Sequence, residues 1–207
     1  MSDFTGHNTK NLHKSKNQEL PKIQIDLTNP SLLEGLDAYI SKRTKILNDE
    51  SEKLMVELYK EMGASYTMPQ NEKDLFEKYR KGYCGNGCDD TLDFLSKLPG
   101  LESEDIKKMG VGTDHMYLQQ KDLVLDTTYK QFMYAPFITN GTPKDSSSQD
   151  CINKIDQLPN IFVGEKKELI NTISETLKSF GVKEDIVQDA VQNWKTDVPP
   201  SKRVTAS

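Results

Sequence analysis

The segment Lys81-Gly-Tyr-Cys-Gly-Asn-Gly-Cys-Asp-Asp90 joins a glycine-rich stretch to the start of a helical pattern. The pattern continues to Leu98 and ends at Pro99-Gly100, so the sequence predicts a helix that has Cys84 near its first residue. Backbone N–H groups and the helix dipole favour a thiolate at such a position. We therefore treat Cys84 as a candidate nucleophile.

Two further polar residues follow at the ends of short apolar runs. The runs His115–Leu118 and Leu123–Leu125 indicate two strands of a hairpin. A hairpin of this length places His115 and Asp126 at the same edge of the sheet, on neighbouring strands. Cysteine, histidine and aspartate are the residue types of a thiol nucleophile, its base and the group that orients the base. The sequence therefore predicts a catalytic site composed of Cys84, His115 and Asp126.

Cys88 competes with Cys84 for the role of nucleophile. The two cysteines lie one helical turn apart on the same predicted helix face. Asp89 and Asp90 follow Cys88 directly, and their negative charges disfavour a thiolate there. We favour Cys84 and keep Cys88 as the alternative.

Two other interpretations use the same side chains without a thiol nucleophile. Cys84, Cys88, His115 and Cys151 contain the ligand types of a zinc site, although their spacing lacks a second paired motif. A buried cysteine can also be an ordinary small apolar residue. The chain would then be a binding module rather than an enzyme.

Composition and charge argue against several classes of protein. The 207 residues carry a formal net charge of −5 and no basic run of the size that binds phosphates, which argues against nucleic acid as a partner. No apolar run approaches the ~18–20 residues that span a bilayer, and the first residues do not resemble a signal peptide. The three cysteines are an odd number, which indicates free thiols in a reducing compartment. We expect a monomer that uses no cofactor or metal.

The pattern along the chain predicts one domain between two polar tails. Residues 1–22 have few apolar side chains and are predicted to be disordered. The domain is predicted at 23–196 and the second tail at 197–207. Its predicted parts are a helical N-terminal part at 23–63, a catalytic core at 71–164 and C-terminal helices at 165–195.

The N-terminal part is predicted to contain two helical runs. The alternating segment Ile23–Leu27 indicates a short strand or extended arm, and Asn29-Pro30 is typical of a helix start. A second helical run is predicted to end at Gly63. Asn71 is predicted to cap a short helix at Glu72–Tyr79, and Ser103–Met109 is predicted to add a helical turn.

The C-terminal half is predicted to alternate a loop, a strand and two helices. Residues 139–151 are rich in turn formers and indicate a mobile surface loop. A short strand is predicted within Leu158–Gly164. Helices are predicted at about 165–180 and 183–194, the first ending before Gly181.

Three segments resemble those of papain-like and transglutaminase-like domains of bacterial toxins and effectors. Asp126-Thr-Thr-Tyr-Lys-Gln-Phe132 resembles the Asp-Pro-Thr-Tyr-x-Gln-Phe segment of that family, with Thr127 in place of the usual proline. Gly82-Tyr83-Cys84 resembles the family's Gly-x-Cys nucleophile segment, and Leu158–Gly164 resembles a segment that follows in such proteins. The likeness covers about residues 80–175.

The resemblance implies a papain-like α+β fold, in which a nucleophile-bearing helix packs on a small antiparallel sheet between N-terminal and C-terminal helices. It implies a Cys84–His115–Asp126 triad that acts on glutamine side chains or peptide bonds of a protein substrate. Deamidation is the first expectation, and proteolysis or transglutamination on the same triad are the alternatives. It also implies a bacterial effector that reaches a host cytosol without a signal peptide and acts on a host protein.

Overall fold

The computed structural model describes residues 26–98, 106–111, 115–192, 194 and 197–198. Its helices are α1 (Pro30–Glu61), α2 (Gln70–Glu77), α3 (Cys84–Ser96), α4 (Gln131–Tyr134), α5 (Ser146–Asp156), α6 (Lys166–Ser179) and α7 (Glu184–Gln192). Its strands are β1 (Ile106–Val111), β2 (His115–Gln120), β3 (Leu123–Asp126), β4 (Ile138–Thr139), β5 (Thr142–Pro143), β6 (Phe162–Glu165) and β7 (Asp197–Val198). The predicted tail 1–22, the first three residues of the arm predicted at Ile23–Leu27 and the residues after 198 lie outside the described part.

The fold is α+β, with an antiparallel sheet at its centre. Five of the described strands form one sheet in the order β6-β3-β2-β1-β7, and β4 pairs with β5 in a separate hairpin. The predicted hairpin is confirmed as β2 and β3, which pair through Leu118 and Leu125. Its turn is shorter than the segment Gln119–Asp122 that separates the two predicted runs, because pairing extends to Gln120 and Leu123 and leaves only Lys121-Asp122 between the strands.

The N-terminal helix begins where its sequence signal predicts. Asn29 accepts hydrogen bonds from the N–H groups of Ser31 and Leu32, and Pro30 occupies the first helical position. The prediction of two helical runs is wrong, since α1 is one continuous helix of 32 residues. The C-terminal half of α1 extends beyond the core, and Leu54 is 67% exposed there.

Two local predictions before the hairpin are also wrong. Helix α2 begins at Gln70, and Asn71 uses its amide to donate to the carbonyl of Asn140 (2.8 Å) rather than to cap a helix. The described part of the helical turn predicted at Ser103–Met109 is strand β1, which pairs along its whole length with β2. Pairing with a distant strand outweighs the local helical preference of that segment.

The surface loop predicted at residues 139–151 is instead regular structure. Asn140 and Gly141 have positive φ angles of 48° and 78° and form the two-residue turn of the β4–β5 hairpin. Asp145 then caps α5, because its carboxylate accepts the N–H of Ser148 at 2.7 Å. This segment is therefore a hairpin followed by a helix that carries Cys151.

The two faces of the sheet face different apolar clusters. Tyr117 and Val124 contribute to the cluster that includes residues of α4–α7, and Leu118 and Leu125 contribute to the cluster that includes α1 and α3. Strand β6, helix α6 and helix α7 agree with the predicted C-terminal strand and helices, and Gly181 follows α6 with a φ angle of 72°. The sheet is thus covered by helices on both faces.

Candidate active site

Cys84 is the first residue of α3, as predicted, and it is 8% exposed. The glycines that follow allow the helix to approach its neighbours closely. A Cβ atom at Gly85 would lie 3.2 Å from the Met116 side chain, and one at Gly87 would lie 2.8 Å from Thr127 Oγ1. The glycine-rich pattern therefore brings the start of α3 against β2 and against the turn after β3.

The first turns of α3 are also fixed to α1. The Tyr83 hydroxyl donates to the carboxylate of Asp90, and Arg43 of α1 donates to the same carboxylate from Nε at 2.8 Å. Tyr83 is fully buried and Asp90 nearly so. These contacts connect the helix that carries Cys84 to the longest helix of the described chain.

His115 and Asp126 meet at the same end of the neighbouring strands β2 and β3, as the hairpin predicts. His115 Nε2 lies 2.7 Å from Asp126 Oδ2, and both side chains are buried. Continuing the β2–β3 register would place Asp126 opposite Tyr117, so His115 is its diagonal neighbour on the same face. The carboxylate therefore fixes one nitrogen of the imidazole ring.

The other carboxylate oxygen holds the turn that follows the strand. Asp126 Oδ1 accepts the backbone N–H of Thr128 at 2.7 Å and its hydroxyl at 3.0 Å. The carbonyl of Thr127 accepts from Arg80 Nη1 at 2.8 Å. Both oxygens of Asp126 are thus committed, which fixes the orientation that the carboxylate presents to His115.

Sequence reasoning gave no role to three residues around the imidazole. Gln131 Nε2 lies 3.0 Å from His115 Nδ1, on the ring nitrogen that Asp126 leaves open. The rings of Phe132 and Trp194 contact the His115 ring at centroid distances of 4.9 and 5.0 Å. Sequence reasoning also gave no role to Thr128, which donates to Asp126. Its position two residues after an aspartate is typical of a turn held by the aspartate side chain and could have identified it. Trp194 is 79 residues from His115 along the chain (194 − 115), and no local signal connects them.

The pKa values of Cys84 and His115 shift in opposite directions. Burial raises the pKa of the Cys84 thiol, but a hydrogen bond with His115, its positive charge and a backbone hydrogen bond from Met116 outweigh burial and lower it. Burial lowers the pKa of His115, but the charge and hydrogen bond of Asp126, with a smaller effect of Cys84, raise it to about 9. The two shifts together favour a thiolate–imidazolium pair.

The other two cysteines lie in different surroundings. Burial and then the negative charge of Asp126 raise the pKa of Cys88, which is 5% exposed. Cys151 lies on α5 and packs partly against the cluster that includes α4–α7. Among the described residues, no group of three or more His, Cys, Asp or Glu side chains is arranged to hold a metal ion. The four proposed zinc ligands therefore do not converge.

Comparison with family models, with curated proteins and with solved structures finds no match. Within the described residues, no helix combines the length and the apolar character needed to cross a membrane.

Proposed function

We propose that this chain is a cysteine-dependent hydrolase or acyltransferase that acts on a protein substrate, with glutamine deamidation as its principal reaction. The observation that carries the proposal is the buried Cys84–His115 contact with opposite pKa shifts, oriented by the 2.7 Å contact between His115 and Asp126. A stabilised thiolate next to a charged imidazole is the activated state of a thiol nucleophile.

In the proposed reaction the Cys84 thiolate attacks the carboxamide carbon of a substrate glutamine. His115 donates its proton to the departing ammonia as the C–N bond breaks, and a thioester to Cys84 remains. His115, now neutral, takes a proton from water, whose oxygen attacks the thioester and releases glutamate. We assign stabilisation of the oxyanion to N–H groups in the first turn of α3, because such groups have no acceptor within a helix.

The arrangement of elements supports a papain-like fold. Helix α3 packs against β2, and the neighbouring antiparallel strands β2 and β3 carry His115 and Asp126. The resemblance of residues 126–132 and of Gly82-Tyr83-Cys84 supports the same assignment. A role as an effector that acts on a host protein rests on that resemblance.

The first test is the reactivity of the two buried cysteines. Intact-mass analysis after brief treatment with iodoacetamide at about pH 6.5 should show one added carbamidomethyl group, at Cys84, because only a low-pKa thiol reacts quickly there. The Cys84→Ser variant should lose this fast reaction and all activity, whereas Cys88→Ser should retain both. Cys88→Ser should also cost about 1–3 kcal/mol of stability, because it places a hydroxyl in an apolar site.

A second test identifies the reaction. Mass spectrometry of candidate substrate proteins should show a gain of about one dalton at a glutamine if the thioester is hydrolysed. Peptide fragments would indicate proteolysis, and covalent adducts with an added amine would indicate transglutamination. If Cys84 does not react faster than an ordinary thiol and Cys84→Ser binds partners like wild type, the binding-module alternative replaces the enzyme.

A further inference from the structure

A cavity of about 510 Å³ is bounded by α2, α4, the β4–β5 hairpin and α7. Its lining is mainly apolar and includes Tyr79, Pro136, Ile138, Ile186 and Ala190. The volume lies within the range of cavities that bind ligands in proteins, roughly 300–1,000 Å³. None of these five residues belongs to the candidate active site, so the cavity needs its own explanation.

The cavity shares a wall with the candidate active site. Gln131 and Phe132 line the cavity, and the same two side chains contact His115. The contact of Gln131 is made to Nδ1, the nitrogen on the side opposite the bond to Asp126. Because Asp126 occupies Nε2, we assign the hydrogen bond between His115 and Cys84 to Nδ1. The cavity therefore lies next to the reacting side of the imidazole.

The walls of the cavity are held by contacts of their own. The tip of the β4–β5 hairpin presses against α2, since a Cβ at Gly141 would lie 1.9 Å from the Asn71 carbonyl oxygen. The Asn71 amide also donates to the carbonyl of Asn140. At the base of the same hairpin, Lys144 donates to the carbonyl of Pro136 at 2.5 Å. Fixed walls are typical of a preformed binding site.

A lysine side chain, that of Lys81, lies where the cavity meets the segment before Cys84. Lys81 lines the cavity three residues before Cys84, and its side chain is exposed. Within the described residues its ammonium group makes no hydrogen bond or ion pair, whereas Lys144 has the Pro136 carbonyl. A carboxylate of a bound chain could pair with Lys81 without displacing an existing contact.

We propose that this cavity receives a bulky apolar side chain of the polypeptide substrate, while an adjacent acidic residue of that substrate pairs with Lys81. The inference rests on the proposed function, because it names the substrate feature that this thiol enzyme recognises. An apolar side chain fits the lining, and the wall of Gln131 and Phe132 places it beside the scissile amide. The enzyme thereby selects a glutamine by its neighbours.

The test compares alkylating peptides that differ in one side chain. The reagents are iodoacetamide, iodoacetyl-Phe-Glu amide, iodoacetyl-Gly-Glu amide and iodoacetyl-Phe-Gln amide, each corrected for its rate with free cysteine. In each reaction a sulfur–carbon bond forms at Cys84 and iodide leaves. The rate of alkylation by the Phe-Glu reagent should saturate with reagent concentration. It should exceed the rate with the Gly-Glu reagent roughly 10–100-fold, as expected for burial of an aromatic side chain. It should exceed the rate with the Phe-Gln reagent by a smaller factor.

Variants of the cavity distinguish recognition from a general change in thiol reactivity. Ile186→Lys at the partly exposed edge and Ala190→Trp inside the cavity should each bring the Phe-Glu to Gly-Glu ratio close to one. Lys81→Gln should remove only the preference for glutamate over glutamine. Ala38→Trp on the exposed face of α1 is the matched control and should leave both ratios unchanged.

Direct binding separates failure of this inference from failure of the proposed function. Saturation-transfer NMR should detect acetyl-Phe-Glu amide bound to Cys84→Ser protein, and Ile186→Lys should abolish the signal. Binding without a reactive thiol would overturn the proposed function and leave the cavity as a peptide site. A fast thiol reaction with equal rates for all three peptides would overturn the cavity proposal and leave the triad. Absence of both peptide binding and peptide selectivity overturns the cavity proposal.

Discussion

Asp126 shows how one buried side chain can serve both the turn and the candidate active site. One oxygen accepts two hydrogen bonds from Thr128, and the other contacts His115 at 2.7 Å. The carboxylate both raises the pKa of His115 and fixes Nε2 of the ring. Its charge matters more for reactivity than for the turn, because an amide oxygen can still accept from Thr128.

Asp126→Asn should therefore keep the fold and lose most of the activity. In a serine protease triad the equivalent change costs ~10⁴ in rate, and a thiol that is already ionised depends less on its base, so the loss here should be roughly 10–10³. Turnover and melting temperature measured together would check this. Asp122→Asn in the exposed β2–β3 turn is the matched control, and full activity of Asp126→Asn would remove Asp126 from the site.

The pKa shifts also predict a pH range for the proposed Cys84–His115 pair. The pKa of His115 is raised from 6.5 to about 9. Its contribution to the free energy of unfolding is therefore complete below pH 6.5 and is lost as pH rises through about 9. The pKa of Cys84 is lowered, so its contribution is lost as pH falls through that lowered value. The rate of reaction of Cys84 with iodoacetamide should therefore rise with pH at a lower midpoint than the ordinary thiol pKa of ~8.5. Turnover should fall above pH 9, where His115 loses its proton. If the rate of Cys84 alkylation instead followed one ionisation near the ordinary thiol pKa of ~8.5, that result would contradict the thiolate–imidazolium pair.

At the scale of elements, the contact between α3 and the turn after β3 depends on a missing side chain. A Cβ at Gly87 would lie 2.8 Å from Thr127 Oγ1 and 3.3 Å from the Tyr83 ring, both of which are buried. Neither neighbour has open space to move into. The separation of Cys84 from His115 and Asp126 therefore depends on how closely this helix can approach.

Gly87→Ala should move α3 away from the turn and cost about 1–3 kcal/mol, the usual penalty of overpacking. It should also lower turnover, because Cys84 shifts with its helix. Gly35→Ala is the matched control in α1, since its Cβ meets Phe94 at an ordinary 3.4 Å and alanine should add roughly 0.5–1 kcal/mol. Chemical denaturation and turnover measurements on both variants would check this difference. Equal stability of the two variants would show that α3 can shift to accept the added methyl group.

The elements that the sequence predicts well are those with signals inside the element. Asn29-Pro30, Gly181 and the His115–Asp126 hairpin each contain the cap, stop or alternation that defines them. The segment Ile106–Val111 lacks such a signal, because it becomes a strand only by pairing with β2. At residues 139–151 the turn formers predict a loop, but Asn140-Gly141 forms a tight hairpin turn and Asp145 caps a helix.

The same distinction holds for the site. Cys84, His115 and Asp126 could be selected from residue type and strand position, whereas Gln131 and Trp194 reach His115 only through the folding of α4 and the C-terminal segment. The cavity next to them is bounded by three regions that are distant along the chain: α2, α4 with the hairpin that follows it, and α7. Its existence therefore could not be predicted from spacing.

At the scale of the whole molecule, Arg80 joins parts that are far apart in sequence. Its guanidinium group pairs with Asp37 of α1 at 2.6 Å and donates to the carbonyls of Thr127 and Asn160 at 2.8 and 3.4 Å. Its backbone has a φ angle of 50°, an uncommon conformation for a residue other than glycine. Asn160 also donates to Asp37 at 2.8 Å. One side chain thus connects α1, the turn after Asp126 and the segment before β6.

Arg80→Met should destabilise the protein by about 3 kcal/mol, the lower end for removing one partner of a buried ion pair, because Asp37 retains some access to water. Turnover should fall further than stability alone explains, since the turn that holds Asp126 loses its anchor. Lys78→Met is the matched control, because its 3.5 Å pair with Asp156 is partly exposed and should contribute ~0–1 kcal/mol. Thermal unfolding and turnover below the melting range would check both variants.

The position of Trp194 gives the protein an internal optical probe. It is the single tryptophan of the chain, it is fully buried, and its ring lies against the His115 ring. A charged imidazolium quenches indole fluorescence more strongly than a neutral imidazole. Emission excited at the red edge of the indole band should therefore rise as pH passes through about 9, where His115 loses its proton. The rise should be absent in His115→Gln, so the charge of the proposed catalytic pair can be followed by light before any substrate is known.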